Sequence, residues 1–206
     1  LEWADAGVDG AYRFLKRLWK QVFIHLQQGA VTVDPTWHQT LTPDLKALRF
    51  QLHQTIAKVS DDLDRRYTFN TAIAAVMELM NNLTKSQGTD PSSRNLMQEA
   101  LENIVLLLSP IVPHICHELW RELRPGTELF DQPWPQADSS AMVQDQIKLI
   151  VQINGKLRGQ IDIAKDAGKE TIESAALANE HVQKFLEGQT VKKIIIVPGR
   201  LINIVI

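Results

Sequence analysis

Apolar residues in the first two thirds of the chain recur with the 3.6-residue period of helices that bury one face. Phe14, Leu15, Leu18, Trp19, Val22, Phe23 and Leu26 form the first such stripe, and Gly29 stands where a C-terminal cap belongs. Thr42-Pro43 reads as an N-cap followed by proline at the first helical position. Leu45, Leu48, Leu52, Ile56, Val59 and Leu63 then extend a helix too long to stand without a partner surface. A third helix is expected over 70–83, followed by a loop where polar residues surround Gly88 and Pro91. Leu96, Leu101, Ile104, Val105 and Leu108 mark a fourth helix. A fifth spans 113–123, stopped by Pro125-Gly126. Five helices with short connections predict an all-α antiparallel bundle.

The texture changes at Phe130-Asp131-Gln132-Pro133-Trp134-Pro135, where two prolines can continue neither a helix nor a central strand. This places a domain boundary, with a bundle over 1–136 and a small domain over 137–206. Beyond it the period is 2: Ile147, Leu149, Val151 and Ile153 alternate with Lys148, Ile150 and Gln152, and Leu157, Ile161 and Ile163 with Arg158, Gln160 and Asp162. A two-residue Asn154-Gly155 turn would pair Ile153 with Lys156 and set one strand's apolar side against the other's charged side. A three-residue loop Ile153-Asn154-Gly155 avoids that conflict, pairing Val151 with Leu157 and Leu149 with Gly159. It gathers Lys148, Gln152, Lys156 and Arg158 on the outer face. Helical residues follow over 169–187 with a break expected near Asn179. Val191 to Val197, a type II turn at Pro198-Gly199 and Leu201 to Ile206 complete a ββαββ pattern. The expected fold is therefore a helical bundle followed by a small α+β domain.

Composition adjusts this picture only slightly. The chain has 206 residues, 44% of them hydrophobic, enough to fill one or two cores. Its 22 basic and 24 acidic residues leave no global positive field, so any nucleic-acid contact must come from local clustering. The single Cys116 excludes an internal disulfide and points to a reducing compartment, with the cytoplasm as the default. No apolar run reaches the ~18 residues of a membrane span. The first residue is Leu1 and not Met, which suggests a piece of something longer.

No catalytic constellation emerges. His114, Cys116 and His117 lack a second ligand cluster, so a structural or solvent-facing role is expected and no metal site. Arg65 and Arg66 follow Asp61, Asp62 and Asp64. A solvated helix end with local ion pairs is the simpler reading, and contact with a phosphate backbone the functional one. Arg13, Lys16, Arg17 and Lys20 lie opposite Phe14, Leu18 and Val22, with no acid among them. In the small domain, Lys148, Lys156 and Arg158 form a patch that Lys192, Lys193 and Arg200 extend. Each is suited to neutralise one phosphate. Phe185 is the only Phe, Tyr or Trp after Trp134, which favours backbone and shape recognition of folded RNA over base stacking. Trp19 and Trp120 are expected in the core, and Trp134 pinned onto the bundle.

Three segments carry a family resemblance. They are the opening Leu1-Glu2-Trp3-Ala4-Asp5-Ala6-Gly7-Val8-Asp9-Gly10-Ala11-Tyr12-Arg13-Phe14-Leu15-Lys16-Arg17-Leu18-Trp19, the stretch from Phe69 to Met80, and Pro110-Ile111-Val112-Pro113-His114-Ile115 with Leu119-Trp120. With Val151-Gln152-Ile153-Asn154-Gly155-Lys156-Leu157-Arg158 and Val197-Pro198-Gly199-Arg200, they resemble the tRNA-binding portion of bacterial leucyl-tRNA synthetases. The third segment is shared with valyl and isoleucyl relatives and by itself gives only the class Ia group.

The resemblance implies an ATP-dependent ligase that joins leucine to tRNA(Leu), using ATP with magnesium. This piece would be its anticodon-binding-type bundle and C-terminal module. The implied partners are tRNA(Leu) and the catalytic and editing domains of the same polypeptide, in a monomer without membrane attachment. The HIGH and KMSKS motifs are absent from this sequence, so no catalytic residue or cofactor is expected in the segment, which should be inert alone. The expected tRNA-binding set is Arg13, Arg17, Lys20, Arg65, Arg66, Lys148, Lys156, Arg158, Lys192, Lys193 and Arg200. The competing reading is a free-standing helical adaptor whose appendage binds protein.

Overall fold

A computed structural model describes residues 5–31, 35–86, 88–143, 146–165, 167–186, 189 and 191–206, with backbone only at 5, 6 and 146–148. The chain divides into two compact units, Leu1–Met142 and Val143–Ile206.

The first unit is a helical bundle of α1 (Asp5–Gln27), α2 (Pro43–Asp64), α3 (Phe69–Lys85), α4 (Pro91–Leu108) and α5 (Pro113–Leu123). Short 3-10 turns at Trp37–Thr40 and Leu129–Asp131 complete it. Its helix starts follow from side chains that satisfy open backbone donors. The Thr42 hydroxyl accepts from the Leu45 amide, and Asp90 accepts from the Ser93 amide at 3.0 Å, each just before a proline. Helix α4 buries Leu96, Ala100, Leu101, Ile104, Val105, Leu107 and Leu108 together with Met97, Ser93, Arg94 and Asn95, 11 of its 18 residues. Such a helix belongs at the centre, and α4 packs against α1, α2, α3 and α5.

Helix α1 departs from expectation. Phe14, Leu18 and Val22 are buried, but Trp19 is 45% exposed and Phe23 57% exposed. The contact arc turns the other way and includes the buried Gln21 and His25. His25 Nε2 stands 2.7 Å from Gln98 Oε1 on α4, and Arg94 of α4 donates to the His25 carbonyl at 2.6 Å. The polar half of the seam therefore displaces two aromatic residues to the surface. Gly29 adopts the expected left-handed cap, with φ of 91°.

Trp120 is buried as expected, its indole N–H donating to Thr127 Oγ1 at 3.0 Å. Trp134 donates to Ser60 on α2, so the exit segment belongs to the bundle. Arg49 of α2 holds that segment again four residues later, through Asp138 at 2.9 Å. These contacts carry the first unit past residue 136, where the sequence texture changes.

The second unit comprises β1 (Gln146–Ile153), β2 (Lys156–Ala164), α6 (Lys169–Ala178), α7 (Glu180–Leu186), β3 (Lys193–Val197) and β4 (Leu201–Val205). The sheet order is β2-β1-β4-β3, with β1 and β4 parallel and the outer pairs antiparallel. The helical run breaks at Asn179 as expected, and the Asn179 side chain caps α7 through the amides of His181 and Val182. Leu149, Val151, Ile153, Ile161, Ile163, Ile202 and Ile204 form a core with Ala176 and Val182 of the two helices.

The expected hairpin register is wrong. Ile153 pairs with Lys156 across a two-residue turn in which Asn154 and Gly155 have φ of 47° and 76°, as a type I′ turn requires. The mismatch that this turn creates is absorbed by a β-bulge opposite Val151 and Gln152, with Arg158 as the extra residue. Gln152 then pairs with Leu157, while Val151 pairs with Gly159 and Leu149 with Ile161.

Candidate nucleic-acid interface

In the bundle, the exposed side of α1 carries Arg13, Lys16, Arg17 and Lys20. Among the described residues none of the four pairs with a carboxylate. Arg17 donates to Asn81 Oδ1 of α3 at 3.1 Å, and the Lys16 ammonium lies 5.2 Å from the centre of the Tyr12 ring. Because Tyr12, Trp19 and Phe23 are exposed on this helix as well, the face mixes cations with aromatic rings.

Arg65 and Arg66 sit differently. Arg65 pairs with Asp61, and Arg66 lies 3.1 Å from Asp61 and 3.8 Å from Asp62. Asp62 is buried and accepts from Lys58 at 2.6 Å. That bond foremost, with Arg66 contributing, holds its carboxyl below the ordinary range. This is the local ion-pair arrangement, though both arginines keep more than half of their side chains in solvent.

In the small domain the bulge overturns the expected common face. The Arg158 guanidinium carbon lies 3.9 Å from the centre of the Phe185 ring on α7, which packs against β1 and β2. Arg158 is thereby drawn to the helical side, while Leu157 occupies the position beside Gln152. The open face of the sheet mixes apolar and polar residues. Two rows cross it, Leu157-Gln152-Asn203-Ile195 and Gln160-Ile150-Leu201-Val197. Lys193 pairs with Val205 beside them. Lys156, Lys192, Lys193 and Arg200 are exposed and, among the described residues, have no carboxylate partner. Lys148 is paired with Asp162 in the register, and its side chain lies outside the described residues. Arg200 follows the Pro198-Gly199 turn, whose Gly199 has φ of 69° and which is closed by the Arg200 amide on the Val197 carbonyl at 3.1 Å.

Cys116 is fully buried, and burial pushes its thiol up to about 12. His117 turns away to Glu128 at 3.2 Å and stacks near Phe130. The two side chains thus do not converge on one point. Among the described residues no cluster of His, Cys, Asp or Glu is placed to hold a metal ion, and no helix is long and apolar enough to cross a membrane.

The anticodon-binding domain family of tRNA ligases matches residues 46–173. The chain belongs to this family. As an anticodon-binding domain it is similar over its whole length to leucine–tRNA ligases. It is 71% identical to that of Nitrosospira multiformis and 65% identical to that of Nitrosomonas europaea, covering 24% of each. The chain thus spans about a quarter of the length of these curated relatives. It also matches, at 30% identity and a TM-score of 0.77, a crystal structure of the ternary complex of Agrobacterium radiobacter K84 agnB2 LeuRS, tRNA and LeuAMS. That match covers 100% of this chain and 26% of the other. Neither a free-standing adaptor nor a valyl or isoleucyl relative is favoured by these likenesses.

Proposed function

We propose that this chain is the tRNA-gripping portion of a leucine–tRNA ligase and positions tRNA(Leu) for aminoacylation. The observation that carries this reading is the full-length likeness to leucine–tRNA ligases. The geometry supports it with cations on α1 and on the small domain that have no carboxylate partner among the described residues, and are suited to phosphate oxygens. Adenylation of leucine with ATP and magnesium, and editing, belong to other domains of the same polypeptide. This chain alone is inert. The ligase works as a cytoplasmic monomer without membrane attachment.

The physical account is one of backbone recognition. Arg13, Arg17 and Lys20 on one helix, and Lys156, Lys192, Lys193 and Arg200 on the small domain, each offer one neutralising contact. Affinity then falls with added salt by a slope of roughly 0.7–0.9 per phosphate contacted. Binding of the 206-residue chain to a tRNA(Leu) transcript, measured at low and moderate salt, tests this. Steep loss of affinity is expected, whereas a protein adaptor forms no RNA complex at either condition. In the whole ligase, Lys156→Glu with Arg158→Glu is expected to weaken aminoacylation and leave leucine activation unchanged. Equal loss of both activities overturns the assignment.

A further inference from the structure

We infer that Phe185 is a positioning residue that holds Arg158 as a fixed two-pronged clamp for an RNA backbone phosphate. This inference rests on the reading of the small domain as a tRNA-binding module and names the chemistry of one contact in it.

Three observations converge. First, Arg158 is the extra residue of the β-bulge, which leaves it without a partner on β1 between the Gln152–Leu157 and Val151–Gly159 pairs. Second, the guanidinium lies 3.9 Å from the centre of the Phe185 ring, and Phe185 is itself 45% exposed, so the pair forms at the surface. Third, the bulge is fastened to the start of α7. Asn179 donates to the Gln160 carbonyl at 3.1 Å while its Oδ1 caps α7, and a Cβ at Gly159 would meet Asn179 and Val182. Arg158 and Phe185 are thus built onto one rigid unit. Among the described residues no aromatic ring covers Lys156.

The consequence is chemical. An aromatic ring covers one face of the guanidinium and leaves its N–H edges directed outward in the plane. Among the described residues no carboxylate or carbonyl accepts from those edges. In-plane donors in a fixed fork match two oxygens of one phosphate, and fixing the side chain beforehand removes the rotamer entropy that a mobile arginine loses on binding.

The test is a double-mutant cycle on the 206-residue chain, read as affinity for a tRNA(Leu) transcript across a salt series. Arg158→Ala is expected to weaken binding about tenfold and to reduce the salt slope by about one contact. Arg158→Lys should recover little, because an ammonium has no fork. Phe185→Leu is expected to weaken binding about threefold with Arg158 present and to have no effect in the Arg158→Ala background, while Phe185→Tyr binds as the parent does. A Phe185→Leu effect that persists without Arg158, or an Arg158→Ala variant with an unchanged salt slope, overturns the inference. Parental affinity in both Arg158→Ala and Lys156→Glu instead overturns the broader reading of the module as an RNA site.

Discussion

The indole N–H of Trp134 donates to the Ser60 hydroxyl at 2.8 Å, joining the exit segment to α2 across 74 residues of chain. Ser60 in turn donates to the Ile56 carbonyl at 2.8 Å, so its oxygen both gives and accepts a hydrogen bond. Trp134→Phe removes the donor and leaves the serine satisfied, which should cost about 1 kcal/mol in urea unfolding of the chain. Ser60→Ala leaves a half-buried indole N–H without its partner and is expected to cost more, about 1–3 kcal/mol. Equal losses in the two variants would mean that water replaces the serine at no cost.

Arg49 is the second tie. Its guanidinium donates twice to Glu99 at 3.1 Å and once to Asp138 at 2.9 Å, and it lies over the Trp37 ring. Arg49→Met leaves Glu99, whose side chain is 24% exposed, without its guanidinium and with only His53 beside it. The expected loss is about 3 kcal/mol in chemical denaturation. Glu99→Gln in the same assay should cost less, since an amide still accepts from the guanidinium.

The same cluster gives a pH dependence. The Ser140 hydroxyl foremost, with the Ser140 amide and Arg49, holds the Asp138 carboxyl well below the usual carboxylate range. Burial opposes ionisation of Glu99, but His53 and Arg49 outweigh it and also hold that carboxyl low. His53 Nε2 stands 3.3 Å from Glu99 Oε1. Depressed values mean that the unfolded chain binds these protons first. The stabilisation is therefore complete above about pH 4–5 and is lost as the pH falls through the lower folded-state values. Melting temperatures followed from about pH 6 to about pH 3 should fall less steeply in Arg49→Met than in the parent. A parallel decline in both proteins would place the acid sensitivity elsewhere.

Gly159 offers a test of the small domain alone. An added Cβ would stand 2.9 Å from Asn179 Oδ1, a short side chain already fixed as the cap of α7. Gly159→Ala should destabilise the module by about 1–3 kcal/mol through overpacking. Amide exchange of α7 is expected to accelerate while that of α4 is unchanged.

Helices α2 and α5 were legible because Thr42-Pro43 and Pro113 mark their starts with specific backbone chemistry. The start of α4 was not: Pro91, expected in a loop of polar residues, opens the helix behind an Asp90 cap. Nor was the contact arc of α1. Period alone gives a broad apolar stripe, and which part of it touches a neighbour depends on Gln98 and Arg94 reaching across from α4. The Asn154-Gly155 turn was plain in the sequence, yet the apolar alternation argued against it. A bulge reconciles the two, and its residue, Arg158, carries no local signal of that role. The types of the candidate cations were readable, and the four-residue spacing of Asp61 and Arg65 foretold their pairing. The stacking of Arg158 on Phe185 was not, since it joins residues 27 positions apart through tertiary structure.

The central place of β4 shapes how the small unit assembles. The β1-β2 and β3-β4 hairpins close locally, but the sheet is completed only when Ile150 to Ile153 pair in parallel with Leu201 to Ile204, across both intervening helices. That closure is the slow, entropically demanding event of the unit. Until it happens two half-sheets each offer an unsatisfied edge, so early self-association during refolding should come from these exposed strands.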